Sequence, residues 1–157
     1  MMATRRLALS LLCAAAPLTA ALMTATPAVA ADPASAQAAC GASAADYSGT
    51  FEGAFDNAPG DTLTVSFDAP QSVETSWTVE GWQGAGRGSY EVTGGGVEWI
   101  NADTVSGPAT GVDTETYRVT SVTCAAGTTE AETLRGEVVA PTETGTVTYP
   151  FTVTRTS

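Results

Sequence analysis

From Tyr47 to the C-terminus, apolar residues fall at alternate positions with Thr, Ser, Glu or Arg between them. A period of two belongs to an extended chain that buries one face, because successive side chains of a strand point to opposite sides. Tyr47, Gly49, Phe51, Gly53 and Phe55 share one face of a first strand, and Leu63, Val65 and Phe67 one face of a second. The turn between them is Asp56-Asn57-Ala58-Pro59-Gly60-Asp61, a run of turn-forming residue types. Val73, Thr75, Trp77 and Val79 line a third strand, Gly88, Tyr90 and Val92 a fourth, and Val97 and Trp99 a fifth entered through Gly94-Gly95-Gly96. After a loop at Ser106–Gly111 come Tyr117, Val119 and Ser121 in a sixth strand, Leu134, Gly136 and Val138 in a seventh, and Val147, Tyr149, Phe151 and Val153 in an eighth. Pro150 falls on the opposite face of the eighth and has no N–H, which predicts an edge or a bulge there.

About eight short strands with no amphipathic helix between them predict an all-β domain, and short loops predict antiparallel neighbours. The favoured architecture is an up-and-down β-barrel, because seven of the eight strands carry an aromatic on the inferred inner face and inward glycines at 49, 53, 88 and 136 suit coiled strands. The alternative is an immunoglobulin-like β-sandwich, although Trp77 does not follow Cys40 at the spacing those domains use.

The residues before the first strand read as an export signal. Arg5 and Arg6 precede an apolar run from Leu7 to about Met23, and Ala28-Val29-Ala30 offers a small-residue cleavage site. Pro17, Thr19 and Thr24 interrupt the run short of a membrane span, so stable membrane insertion is not expected once residues 1–30 are removed. Arg5-Arg6 leaves both Sec and twin-arginine export open. Residues 31–46 form an Ala/Pro/Ser-rich arm, expected to be flexible and tethered by Cys40, and residues 47–157 form a single domain. Ala38-Ala39-Cys40 also leaves open a lipoprotein anchor at Cys40.

Cleavage would take two of the six arginines and none of the 17 acidic residues, moving the net charge from −11 to −13. Lysine and histidine are absent altogether. So negative a field repels phosphate backbones and anionic lipid, which excludes nucleic acid as a partner. Cys13 lies within the signal, leaving Cys40 and Cys124 as an even pair in an oxidising compartment and predicting a disulfide between them.

Tyr47-Ser48-Gly49-Thr50-Phe51, Gly88-Ser89-Tyr90-Glu91-Val92 and Phe151-Thr152-Val153-Thr154-Arg155 resemble strands of the small secreted streptavidin-like and lipocalin-like barrels. That resemblance implies a barrel and carries no binding residue over. The acidic composition is also similar to that of the immunoglobulin-like apoproteins that carry enediyne antibiotics, which hold two short-range disulfides where this chain offers one long-range pair.

Without histidine, and with both remaining cysteines bonded, no Ser-His-Asp or Cys-His site and no ordinary zinc site can be assembled, so no cofactor or metal is expected. A carboxylate pair is the one enzymatic route left, and Glu74, Glu80, Glu91 and Glu137 all sit on the polar phase. Asp56, Asn57 and Asp61, or Asn101, Asp103 and Asp113, would offer calcium oxygens from loops without a recognised spacing, and plain turn chemistry accounts for them equally. Gly84-Ala85-Gly86-Arg87-Gly88 reads as a glycine-rich hairpin, with Trp82, Gln83 and Arg87 as a candidate surface for a protein partner.

The leading expectation is a non-catalytic extracellular binding module for a small apolar or aromatic ligand or a protein partner. Its candidate interior residues are Phe51, Phe67, Trp77, Tyr90, Trp99, Tyr117, Tyr149 and Phe151, which in a barrel either line a cavity or fill the interior. The alternatives are an inhibitor or interaction protein of a secreted hydrolase working through exposed loops, and a cell-surface structural component.

Overall fold

Strands that each present one apolar face must either stack as two sheets or curl until the face closes on itself, and this chain does the second. The computed structural model describes residues 39–58, 60–94 and 96–157. A short helix α1 (Ala44–Tyr47) precedes β1 (Gly49–Phe55), β2 (Thr62–Asp68), β3 (Ser72–Val79), β4 (Trp82–Thr93), β5 (Gly96–Ser106), β6 (Thr110–Cys124), β7 (Ala131–Thr142) and β8 (Gly145–Arg155). Each strand pairs antiparallel with the next, and β8 returns to β1, so the order β1 to β8 forms a closed barrel. Closure excludes the two-sheet sandwich and leaves no continuous free edge. Among the described residues no helix is long and apolar enough to cross a membrane.

The export signal expected in residues 1–30 lies outside the described residues. Cys40 and Cys124 are joined, with their Cα atoms 5.7 Å apart across 84 positions of sequence. The bond occupies the sulfur that a lipid anchor on Cys40 would need.

Several local readings of the sequence are corrected by the register. Tyr47 ends α1 and does not belong to the first strand. The glycine-rich stretch 84–88 is not a hairpin but the first half of β4, paired along its length with β3 and β5. The hairpin is Glu80-Gly81, with φ of 48° and 86°, the doubly left-handed turn whose twist matches the flanking strands. Strand β5 runs on to Ser106 and β6 starts at Thr110, so the loop expected at Ser106–Gly111 shrinks to three residues. A bulge between Val119 and Ser121 turns Ser121 outward, and Val122 packs against the core in its place. Pro150 pairs in register with Glu137 of β7 and lies just past the last β1 partner, Phe151 opposite Phe55, so it marks a local edge with no bulge.

The core fills the end of the barrel from which β1 rises. Phe67 is its hub, with Tyr90, Trp99, Phe51 and Tyr47 around it at ring-centroid distances of 5.0, 5.3, 5.8 and 5.9 Å. Three of the four contacts are edge-on, the arrangement favoured by ring quadrupoles. Residues 39–48 cap this end: the Tyr47 and Tyr90 hydroxyls donate to the carbonyls of Gly41 and Ala44. Arg155 reinforces the cap, donating to the carbonyls of Asp46, Ser48 and Ala131 while its guanidinium lies 4.7 Å from the centre of the Phe51 ring.

Candidate functional site at the open end of the barrel

Toward the other end the inner face changes character. On β5 the inward positions run Val97, Trp99, Asn101, Asp103 and Val105, and on β6 they run Asp113, Glu115, Tyr117 and Val119. Two buried acids therefore meet from neighbouring strands, Asp103 fully enclosed and Glu115 7% exposed. Tyr117 joins the two halves of the interior. Its ring stacks on Trp99 at 4.9 Å and 6°, and its hydroxyl reaches Glu115 Oε2 at 2.6 Å and Asp103 Oδ2 at 3.3 Å.

A buried carboxylate is tolerated only where donors surround it. Trp77 Nε1 donates to Asp103 Oδ2 at 2.8 Å, and the Thr75 hydroxyl reaches Oδ1 at 3.5 Å. Asn101, one layer deeper, donates its amide N–H to the Thr75 hydroxyl. Space for this layer comes from β4, where the inward positions opposite Trp77 and Asp103 are Gly84 and Gly86. A Cβ on Gly84 would collide with the Trp77 indole, and one on Gly86 with the Asp103 carboxylate.

Glu115 has fewer partners than Asp103. Tyr117 donates to Oε2, and no N–H or O–H of the described residues reaches Oε1. Burial is the largest influence on its carboxyl and raises its pKa to about 7; the Tyr117 hydrogen bond opposes the rise, whereas the charges of Asp103 and Asp113, with a hydrogen bond toward Asp103, add to it. Burial, followed by the charges of Glu115 and Asp103, raises the Tyr117 hydroxyl well above its ordinary value, keeping it a donor.

Above the acids the barrel opens into a cavity of about 240 Å³. Phe55, Trp77, Trp82 and Tyr149 supply aromatic walls, Val79, Val105, Val138 and Val147 aliphatic ones, and Glu115 and Asp113 the acidic side. Phe55 and Tyr149 meet edge-on at 6.0 Å. None of the arginines among the described residues lines it. Arg87 pairs with Glu74 at 2.7 Å on the outer wall, Arg118 with Glu98 at 2.8 Å and Glu137 at 3.6 Å, and Arg155 is held in the cap at the other end.

The residues singled out from the sequence thus separate into three places. Phe51, Phe67, Tyr90, Trp99, Tyr117 and Phe151 are buried in the packed interior, while Trp77 and Tyr149 line the cavity. Trp82 also faces the cavity, because β4 begins with it and its even-numbered positions point inward, whereas Gln83 and Arg87 border shallow polar grooves on the outer wall. Asn101, Asp103 and Asp113 lie on strands and not in loops, and among the described residues no group of three or more metal-ligating side chains could hold an ion. Glu115 escaped sequence reasoning. Extending the sixth strand's alternation back two residues from Tyr117 would have found it, as extending the fifth forward from Trp99 reaches Asn101 and Asp103. No protein-family model matches this chain, and no curated protein or solved structure does either.

Proposed function

We propose that this chain is an exported, non-catalytic binding protein that holds one small, largely apolar ligand in the open mouth of its barrel. The observation that carries this reading is the cavity itself. It is concave, walled by four aromatics, and provided with a few polar groups at its base, the usual composition of a small-molecule site. Barrel mouths are among the places where such sites recur. Export is supported by the N-terminal signal pattern and by a disulfide of the kind an oxidising compartment sustains.

Indole, a neutral bicyclic ring, serves as the first probe. In a methyl-labelled sample of the disulfide-bonded protein, titrated indole should move the NMR signals of Val79, Val105, Val138 and Val147, which line the cavity, and leave those of Val65, Val73 and Val97 in the packed end unmoved. Shifts distributed over both ends, or none at millimolar indole, would defeat the reading.

A further inference from the structure

We infer that the mouth is built for an organic cation: an amine carried on a single small aromatic or apolar ring system, its ammonium group seated against Glu115. The inference rests on the binding function proposed above and names its ligand class.

Four observations carry it. The first is charge. Asp113 and Glu115 from β6 line one side of the cavity, Asp103 from β5 lies buried behind them on the Tyr117 hydroxyl it shares with Glu115, and no arginine lines the cavity among the described residues. The acids therefore lack the counter-charge that buried carboxylates ordinarily have. The second is an open acceptor: Glu115 lines the cavity, is 7% exposed, and has an Oε1 to which no donor of the described residues is directed. An ammonium brings N–H donors and no acceptor, which suits a carboxylate oxygen and would meet nothing useful in a purely apolar cup.

The third is the wall. Phe55, Trp77, Trp82 and Tyr149 present aromatic surface around the same space, and aromatic faces attract cations once water is displaced. Trp77 belongs to both systems, since its side chain lines the cavity while its N–H donates to Asp103. The fourth is size. At about 240 Å³ the cavity is smaller than the ~300–1,000 Å³ of sites for drug-sized ligands, which restricts the occupant to one ring system with a short arm.

The same geometry makes binding pH-dependent. The groups facing Glu115 are Asp103 from β5, Asp113 and Tyr117 from β6, and Tyr149 across the cavity on β8; β7 contributes Val138, Ala140, Pro141 and Thr142, and β3 and β4 contribute Trp77, Val79 and Trp82. With no cation among these neighbours, Glu115 takes up a proton near neutrality, and a protonated Glu115 no longer attracts an ammonium.

Isothermal titration of the disulfide-bonded protein with three probes of one shape tests this: tryptamine, which is cationic, indole, which is neutral, and indole-3-propionate, which is anionic. At pH 8 tryptamine should bind about tenfold tighter than indole, the gain expected of one charge-assisted hydrogen bond, and indole-3-propionate should bind weakest. At pH 5 the preference for tryptamine should fall severalfold in the native protein. Glu115→Gln, which keeps the shape and removes the charge, should lose most of that preference at pH 8 while still taking indole. Equal affinity for tryptamine and indole at pH 8 would overturn the cation inference and leave the apolar mouth standing. Failure of all three probes to bind would overturn both.

Discussion

The two ends of this barrel are built from one strand pattern and do opposite things with it. At the capped end the inward positions are aromatic and packed edge to face around Phe67, with α1 and the Cys40–Cys124 bond holding the terminal segment across the opening. At the open end the inward positions of the same strands become Thr75, Asp103, Glu115, Gly84 and Gly86, and the interior stays hollow above them. The difference teaches that alternation specifies which side chains face inward, while their volume and polarity decide whether the inside is core or cavity. Burial of large rings stabilises one end by ~1.5–3 kcal/mol per side chain. The other end gives up that gain and confines two carboxyls, an arrangement expected where binding and not stability is served.

That contrast can be broken most severely at the disulfide. Replacing Cys40 and Cys124 together with alanine frees a closure of 84 positions, for which the chain-entropy model gives about 4.5 kcal/mol. The expected result is a large fall in the denaturation midpoint, measured by circular dichroism, with unchanged indole affinity in whatever fraction remains folded. A lost affinity at full folding would show that the two ends are not independent.

Phe67→Ala attacks the packed end from within. Removing the ring that touches four other aromatics should cost about 3–5 kcal/mol, read as a lower urea midpoint at constant slope. An effect under about 1 kcal/mol would mean that the aromatic hub does not hold this end together.

The smallest effect sharpens the comparison through pH. Glu115 has a raised pKa in the folded state, so between about 4.5 and about 7 the folded protein binds more protons than the unfolded chain, and stability falls as pH rises through that window and levels off above it. Asp46 in the capped end has the opposite sign. The Thr129 hydrogen bond is the chief cause of its lowered pKa, so its contribution is complete above the ordinary aspartate range and is lost as pH falls below it. Urea titrations across this range should show native stability declining from weakly acidic pH to neutrality by on the order of 2 kcal/mol, and Glu115→Gln should flatten that decline while leaving the acid limb intact. A decline that persists in Glu115→Gln would assign it to another group.

The legible part of the molecule was the part where the inner phase stayed apolar. Leu63, Val65 and Phe67 in β2, or Tyr149, Phe151 and Val153 in β8, declare their face by hydrophobicity alone. Where the inner residue turned polar or lost its side chain the alternation became silent, and three strands were cut short: β4 at Gly88, β5 at Trp99 and β6 at Tyr117. Those are the places where the candidate site lies. Trp82, beside the glycine-rich stretch, reads as an outward candidate surface for the same reason, since three inward glycines separate it from Tyr90, the next inward aromatic of its strand.

By itself the sequence determined the all-β class, the order of eight strands, the pairing of the two cysteines and the strongly negative net charge, because each follows from local periodicity, residue count or summed charge. Only the tertiary structure decided that the sheet closes, that Asp103 and Glu115 meet under one tyrosine hydroxyl, and that one end is plugged while the other is open. Register across the strand pairs determines those facts. A register joins residues far apart in the chain through backbone hydrogen bonds that every residue type except proline can make, so little in the local sequence announces it.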